Sequence, residues 1–365
     1  MKILYYIHFL YVGGAEKLSV DYLLGLKKRG HDVSVVVNVR MDTFLERRLI
    51  DNGVKIYTLF SEENNLLRKA KGFLKRRFSS YKREWERIYR EVAPDALHIH
   101  TFLDQFELCD FPAERVVYSF HTDIDRFLSI GTEKNRKKML ELAKQGAVFT
   151  SLNQDMLESV KEKLATDRAV YLPNGVDISA IRAQKRDKRE LLSELSLPED
   201  SFVVGHVGRF HPIKNHEKLF EVFSEIAKRE PKARLLVVGD GAPEDEARIA
   251  ALIEKYGVFD KTLCLGVRDD ASAIMSIFDV LIFPSILEGF SLVLVEAQAL
   301  GIRAIASDSV PKEVVCENCL ALPLSESAQK WAEEAFKDHE SLGSVEQFDM
   351  PRIIERLEEI YKGAL

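Results

Sequence analysis

The sequence predicts an α/β protein of two doubly wound domains, each with a parallel sheet covered by helices on both faces. Short β-branched runs alternate with helical patterns along the chain, and this alternation restarts after residue 200. A length of 365 residues exceeds one ordinary core and suits two such domains. The apolar fraction of 46% is that of a globular protein.

The first series of elements contains six predicted strands. They are the apolar, β-branched segments at residues 2–7, 32–38, 96–99, 116–119, 147–150 and 169–172. Residues 15–29 have helical periodicity, and Gly30 ends that helix before the second strand. The first predicted domain therefore covers residues 1–172.

The second series follows Pro173-Asn174-Gly175, where Pro and Gly punctuate the chain. Its predicted strands are residues 202–207, 234–238, 263–265, 280–283 and 303–306. Its predicted helices are residues 215–229, 244–256 and 292–300. The second predicted domain covers residues 173–350, and the last segment, 351–365, begins with a further helix.

Charge and cysteine content exclude several classes of protein. The net charge of −6 argues against a general nucleic-acid binder. Four cysteines are too few for a disulfide framework, and we expect Cys316 and Cys319 to be ordinary reduced thiols. No secretory leader and no apolar stretch of about 20 residues is visible, so we expect a cytoplasmic protein.

Two basic residues follow the strand at residues 202–207, just before the helix at 215–229. Arg209 and Lys214 are placed to converge on an anion, since Arg offers a planar fork of donors and Lys a mobile point charge. The helix N-terminus adds free N–H groups and the positive end of its dipole. The segment is a candidate diphosphate site, and the alternative is a pair of solvated surface cations.

Two glutamates follow the strand at residues 280–283. Because Ser291 is a favourable N-cap, Glu288 should lie in a loop and Glu296 about one and a half turns into a helix, at ~3.6 residues per turn. Gly289 allows a close backbone approach, and carboxylates suit the vicinal hydroxyls of a sugar. The helix is apolar nearly all round, so we expect Glu296 to be buried. The alternatives are a structural salt bridge for Glu296 and a solvated loop acid or a helix-start charge for Glu288.

His121 follows the strand at residues 116–119, where it could hydrogen-bond a ligand or carry a proton. The alternative is a structural histidine. Asp123-Ile124-Asp125 formally matches a metal-binding Asp-x-Asp, but so short a match recurs by chance, and we interpret it as a loop.

Gly13 and Gly14 lie between the first strand and the first helix. Their spacing differs from the Gly-x-Gly-x-x-Gly dinucleotide fingerprint, which weakens a dehydrogenase interpretation. A glycine pair here still lets backbone N–H groups approach an anion or a sugar closely.

Residues 66–90 form a basic segment with interleaved aromatic residues. Ten Lys or Arg residues and two Glu residues lie between positions 68 and 90. Such a helix suggests a surface that lies on anionic lipid. The alternative is an amphipathic domain helix with a solvated basic face.

Taken together, these motifs resemble the retaining family-4 glycosyltransferases of GT-B fold, over essentially the whole chain. The resemblance is closest to the bacterial capsule and exopolysaccharide branch. The residues that carry it are Gly13-Gly14-Ala15-Glu16, Leu172-Pro173-Asn174-Gly175, Gly208-Arg209, Lys214-Asn215-His216, Glu288-x7-Glu296 and Pro311-Lys312-Glu313.

The resemblance implies two facing Rossmann-like domains with a cleft between them, and a C-terminal helix that packs back on the first domain. It implies that Arg209 and Lys214 bind the donor diphosphate. Glu296 would hold the ribose hydroxyls and Glu288 the sugar hydroxyls, while His121 would contact the donor sugar. The implied catalytic residues are His121, Arg209, Lys214 and Glu288. The other implied donor-binding residues are Gly14, Asn174, Val267, Arg268, Gly289, Phe290, Ser291, Leu292 and Glu296.

The implied activity is retaining transfer of a sugar from a UDP-sugar to a glycan or lipid-linked acceptor in capsule or exopolysaccharide synthesis, with neither metal nor cofactor. No nucleic-acid partner is expected. An anionic membrane surface, contacted through residues 66–90 at the inner face of the membrane, is a further expected partner. The alternatives are another GT-B enzyme, such as a nucleotide-sugar epimerase or sugar-phosphate synthase, and a non-catalytic GT-B-like partner protein.

Overall fold

A computed structural model describes residues 1–11, 14–60, 74–100, 112–121 and 123–363 of the chain. The predictions for Gly13 and for residues 66–73 of the basic segment lie outside this part, as does Cys109, one of the four cysteines. Among the described residues, no helix combines the length and the apolar character needed to cross a bilayer.

The chain forms two compact units, Met1–Gly175 with Met350–Leu365, and Val176–Asp349. The sequence placed the junction after residue 172, three residues earlier. The difference arises because Gly175 packs on Met350, whose Sδ would lie 2.8 Å from a Cβ at position 175. Residues 173–175, including Asn174, therefore belong to the first unit.

The sheet of the first unit is parallel throughout its described part. Its strands are β1 (Lys2–Ile7), β2 (Asp32–Val37), β3 (Lys55–Thr58), β4 (Ala96–His100), β5 (Val116–Ser119), β6 (Val148–Ser151) and β7 (Ala169–Tyr171). Their order in space is β3-β2-β1-β4-β5-β6-β7. The direction of winding reverses between β1 and β4, and ligands of such sheets bind at the carboxyl ends of strands at this point.

Helices of the first unit lie between these strands. They are α1 (Gly14–Lys28), α2 (Phe44–Asp51), α3 (Leu74–Val92), α4 (Ile124–Ile130), α5 (Glu133–Lys144) and α6 (Gln154–Leu164). α4 begins where the sequence suggested a loop, because Asp123 caps it by accepting hydrogen bonds from the N–H groups of Asp125 and Arg126. The first acid of the Asp-x-Asp thus has a structural role.

Part of the basic segment lies in α3, and the described side chains of this helix show how it packs. Tyr81, Trp85 and Ile88 are fully buried, and the Trp85 ring meets Tyr6 of β1 edge-on at 5.8 Å between centroids. Arg87 is held by Glu84 at 2.6 Å and Glu91 at 2.7 Å. This half of the helix is therefore amphipathic and packs on the sheet, so these three apolar side chains are not available to lipid.

The second unit repeats the architecture. Its strands are β8 (Phe202–Val207), β9 (Ala233–Val238), β10 (Thr262–Cys264), β11 (Val280–Phe283), β12 (Arg303–Ser307) and β13 (Cys319–Leu322). The order β10-β9-β8-β11-β12-β13 is parallel, and the winding reverses between β8 and β11. Gly205 in β8 leaves room for the Phe278 ring, whose nearest atoms would lie 1.9 Å from a Cβ there.

Helices of the second unit connect these strands. They are α7 (Ile178–Ala183), α8 (Lys188–Glu194), α9 (His216–Arg229), α10 (Pro243–Lys255), α11 (Ala271–Met275), α12 (Leu292–Ala299) and α13 (Ala328–Glu334). All eleven strands and the principal helices predicted from the sequence are confirmed to within one residue at each end. The edge strands β3 and β13, of four residues each, were not predicted from the sequence.

The last helix, α14 (Met350–Tyr361), packs on the first unit. Glu358 accepts hydrogen bonds from Arg29 Nε at 2.7 Å and Nη2 at 3.0 Å. Its neighbour at the helix end, Tyr361, shares a hydrogen bond of 2.8 Å with the hydroxyl of Tyr5 in β1. The apolar face of α14, with Ile354 and Leu357, joins the core formed by β1, β2 and α1.

Candidate functional site

The most informative loops follow β8 and β11, which are adjacent at the point where the winding reverses. One loop carries Arg209 and Lys214, and the other carries Glu288. The two loops are joined by a hydrogen bond of 2.7 Å from the N–H of Ile286 to the carbonyl of Ile213. Residues 74 positions apart in sequence are therefore held side by side.

Lys214 and Glu288 form a close ion pair. Lys214 Nζ donates to Glu288 Oε1 at 2.6 Å, and only 19% and 11% of the two side chains are exposed. The ammonium also lies 4.9 Å from the centre of the Phe283 ring, within range of a cation–π interaction. A cation and a carboxylate in partial burial form a site that can bind a phosphate on one side and a hydroxyl on the other.

The backbone before α9 places Lys214. A single turn of 3-10 helix, Pro212–Lys214, is capped by His211, whose Nδ1 accepts from the N–H of Ile213 at 3.2 Å. Asn215 then adopts a left-handed conformation, φ 53°, and its side chain accepts from the N–H of Lys218 to cap α9. Asn tolerates this conformation better than most residues. The turn leaves Lys214 pointing at Glu288 beside the helix N-terminus.

Arg209 is exposed, and the described residues provide it with no ion-pair partner. It follows Gly208, whose carbonyl is closely approached by Gly239. A Cβ on Gly239 would lie 2.1 Å from that oxygen, and Gly239 has φ +135°, so only glycine fits. This close approach fixes the backbone from which Arg209 projects, and its exposed guanidinium fits a role in anion binding.

Two buried histidines lie beside Lys214: His206 was not identified from the sequence, and His216 was named only as part of the Lys214-Asn215-His216 motif. His206 in β8 donates from Nδ1 to the carbonyl of Ile282 at 2.9 Å, and burial lowers its pKa to about 4. Its ring meets that of His216, the first residue of α9, edge-on at 4.9 Å. Burial also lowers the pKa of His216. Both rings are therefore neutral at pH 7, so they add no competing positive charge next to Lys214. For His206, the sequence signal that could have identified it was a histidine within an otherwise apolar strand.

The loop after β11 leads into α12 as predicted. Ser291 caps the helix by accepting from the N–H of Leu294 at 3.2 Å, and Phe290 packs edge-on against Phe348 at 5.2 Å. Gly289 and Leu292 are partly buried.

Glu296 differs from its prediction. The sequence suggested a buried carboxylate on a helix apolar all round, but Glu296 is partly exposed. It shares that partly exposed face of α12 with Leu292 and Val293, whereas Leu294 and Val295 are fully buried. A helix that is apolar on all sides can still have one face that no other element covers. Glu296 lies on that face of α12.

Val267 and Arg268, predicted to lie beside the base, are exposed after β10. β10 lies at one edge of this sheet and is separated from β8 by β9. Arg268 is engaged by Asp270 through two hydrogen bonds of 2.7 and 2.8 Å. The structure therefore does not bring these two residues to the Lys214–Glu288 pair.

Three predicted site residues belong to the first unit. Gly14 opens α1 and is exposed, with nothing within 4 Å of a Cβ built there. Asn174 is buried, and its Oδ1 has no hydrogen-bond partner in the part of the chain that is described. His121 is partly exposed after β5, and its Nε2 lies 2.8 Å from Nδ1 of His100. Desolvation lowers the pKa of His121 to about 4, so its ring is neutral at pH 7.

Two models of glycosyltransferase families match successive parts of the chain. The family model described as Glycosyltransferase Family 4 matches residues 12–180, and that described as Glycosyl transferases group 1 matches residues 187–338. The putative glycosyltransferase EpsF of Bacillus subtilis is 33% identical over 179 residues, 47% of this chain. That match spans only 45% of EpsF itself.

Two further proteins are similar over most of the chain. A D-inositol 3-phosphate glycosyltransferase of Corynebacterium aurimucosum is 30% identical over 314 residues, which cover 75% of this chain and 73% of that protein. Anabaena HepE, in a crystal structure with UDP, matches with a TM-score of 0.76 over 100% of both chains at 18% identity, which speaks for the fold. The two parallel-sheet units, the family models and the Corynebacterium relative agree, and the chain belongs to the family-4 glycosyltransferases of GT-B fold.

Proposed function

We propose that the chain is a retaining glycosyltransferase that moves a sugar from a UDP-sugar to a glycan or lipid-linked acceptor in capsule or exopolysaccharide synthesis. The observation that carries the proposal is the contact between Lys214 and Glu288, with Arg209 on the same loop as Lys214. Support for a UDP-linked donor comes from HepE, which shares the fold and was crystallised with UDP.

In the proposed reaction, the bond between the anomeric carbon and the donor diphosphate breaks. A bond from the acceptor oxygen to that carbon forms on the same face, and the acceptor's proton passes to the leaving diphosphate. Arg209 and Lys214 stabilise the negative charge that develops on the diphosphate. Glu288 accepts hydrogen bonds from the sugar hydroxyls, and Glu296 accepts them from the ribose.

We also propose that transfer needs no metal ion. Arg209 and Lys214 would supply the positive charge that a divalent cation supplies in other phosphoryl sites. Activity that persists in excess chelator is the expected result. Activity that is lost in chelator and restored by Mg²⁺ or Mn²⁺ would contradict this part of the proposal.

A panel of nucleotide-sugars tests the proposed function, scored for slow hydrolysis and for protection against thermal unfolding. We expect one UDP-sugar to protect the protein and Lys214→Ala to lower its turnover at least 100-fold, as when a group that stabilises transition-state charge is removed. Lys255→Ala is a matched control, since this exposed lysine also pairs with a glutamate, Glu217, at 2.6 Å.

Three results would contradict the proposal. One is an unchanged rate in Lys214→Ala. Another is conversion of a UDP-sugar to a free epimer without acceptor, which would identify an epimerase. The third is a panel in which no nucleotide or nucleotide-sugar binds, which would favour a non-catalytic partner protein.

Association with an anionic membrane through residues 66–90 is a separate proposal. It depends on the basic residues at positions 68–83, since Tyr81 and Trp85 of α3 are buried. Vesicles containing anionic lipid should recover the protein at low salt and lose it as salt rises. No recovery at low salt would end this proposal.

A further inference from the structure

His121 rests on a buried cluster of aromatic and imidazole rings in the first unit. His98 and His100 lie two positions apart on β4, so both side chains are on one face of the sheet, and both are fully buried. The His100 ring lies 4.2 Å from His98, 5.2 Å from Tyr5 and 4.9 Å from His121 between centroids. Contacts with three rings hold the His100 imidazole in one orientation.

A second set of hydrogen bonds fixes His98 and so supports this cluster. His98 Nε2 is 2.7 Å from Ser119 Oγ, and its Nδ1 is 2.5 Å from the hydroxyl of Tyr361. Tyr361 belongs to α14 and is bonded in turn to Tyr5. The last helix of the chain therefore helps to hold the rings beneath His121.

The hydrogen bond between His100 and His121 contains one proton, and the surrounding groups indicate which ring owns it. Ser19 Oγ donates its only proton to the carbonyl of Ala15 at 2.8 Å, so toward His100 Nδ1, 3.2 Å away, it can only accept. His100 Nε2 is buried and has no hydrogen-bond partner among the described residues.

With both rings neutral, two proton arrangements are possible for His100 and His121, and they differ in whether His100 Nε2 carries a proton. If His121 donated from Nε2, His100 would carry its own proton on Nε2, where a buried N–H would have no acceptor. If His100 donates from Nδ1, the proton serves both His121 and Ser19, and Nε2 is only a bare acceptor. Buried donors without partners are rarer than under-satisfied acceptors, so the second arrangement is favoured.

We propose that His100 is a positioning residue that fixes His121 in the tautomer with its proton on Nδ1. The inference rests on the proposed function, in which His121 touches the donor sugar. His121 then meets that sugar as an N–H donor to a sugar oxygen and not as a proton acceptor. The described residues hold no partner for Nδ1 of His121, whose side chain is partly exposed.

Nitrogen-15 NMR of protein labelled at histidine tests the tautomer without requiring activity. The peaks of His121 are those that disappear in His121→Gln. We expect Nδ1 of His121 to be protonated and Nε2 bare at neutral pH, and we expect this pattern to be lost in His100→Phe, which keeps a planar ring but removes the donor. A proton on Nε2 of His121 in the unmodified protein would overturn the proposal.

Kinetics provide the second readout. His100→Asn keeps an amide N–H near the position of Nδ1 and should retain most activity, whereas His100→Phe should lose about 3- to 10-fold in kcat/KM, the value of one ordinary hydrogen bond. Tyr5→Phe is the matched control, since it removes a buried hydroxyl from the neighbouring network and should leave the His121 tautomer unchanged. Equal losses in His100→Asn and His100→Phe would contradict the positioning role.

UDP binding separates the inference from the proposed function. The residues assigned to the diphosphate lie in the second unit, so each folded variant should bind UDP like the unmodified protein. If the unmodified protein binds no UDP, the proposed function fails while the tautomer result stands. If UDP binds and transfer occurs but His121 carries its proton on Nε2, only the inference about His100 fails.

Discussion

Replacing Glu288 by Gln should make the protein bind UDP more tightly and transfer sugar more slowly. The change removes the negative charge that now engages Lys214 at 2.6 Å. UDP lacks the transferred sugar that Glu288 is proposed to bind, so it loses no contact when Glu288 is replaced, and it gains a lysine that is no longer committed to a carboxylate. A UDP-sugar loses the acceptor for its hydroxyls, so its transfer should slow.

The structure sets the size of the effect. Exposed ion pairs contribute about 0–1 kcal/mol, whereas removing one partner of a buried pair costs about 3–5 kcal/mol. With 19% and 11% of its side chains exposed, the Lys214–Glu288 pair lies between these limits. We expect Glu288→Gln to lower the free energy of unfolding by about 1–3 kcal/mol. If UDP must draw Lys214 away from Glu288, about 1–2 kcal/mol is recovered on binding, and the Kd for UDP falls about 5- to 30-fold.

Calorimetric titration with UDP and thermal unfolding measure the two quantities. Glu217→Gln is the control, because it breaks the exposed pair with Lys255 and should change both by little. Unchanged or weaker UDP binding in Glu288→Gln would show that Lys214 is not held back by Glu288, and the reasoning from this contact would be wrong.

Two further predictions concern stability. Gly239→Ala should lower the free energy of unfolding by several kcal/mol and weaken UDP binding, because its Cβ would lie 2.1 Å from the carbonyl oxygen of Gly208. Thermal unfolding measures this, with Gly257→Ala as the control, since Gly257 also has a positive φ of +62° but no atom lies within 4 Å of a Cβ built there. Equal losses of stability in the two variants would refute the prediction. Burial lowers the pKa of His206 to about 4, so stability should be full above about pH 6.5 and fall toward pH 4, by up to ~1.4 kcal/mol per pH unit for each such histidine. Melting temperatures that rise on acidification from neutral pH would contradict the second prediction.

The sequence was sufficient for most of the architecture. Central strands such as β1 and β11 are buried on both faces, so they read as uninterrupted apolar runs, and their bounds were predictable within a residue. The edge strands β3 and β13 were missed although the even shorter edge strands β7 and β10 were predicted, so length and edge position alone do not explain the two omissions. The domain junction was three residues early because a contact with Met350, far along the chain, decides it.

The candidate site was only partly predictable from the sequence. Residues that follow strands at the reversal of winding, such as Lys214 and Glu288, could be located because parallel strands end at one edge of a sheet. The burial of Glu296 was predicted wrongly, since apolar composition does not reveal which face of a helix is covered. Buried histidines such as His100 and His206 were missed, because their partners are remote in sequence.

The sequence by itself therefore determined the alternation of strands and helices, the two-unit plan and the loops that hold the candidate site. These follow from local hydrophobic periodicity and from Gly, Pro and Ser at element ends. Only the tertiary structure decided that Lys214 pairs with Glu288, that His121 rests on His100 and that Tyr361 closes the ring cluster. Each of these contacts joins residues from different strands or helices, and their distances and protons depend on packing that no local pattern encodes.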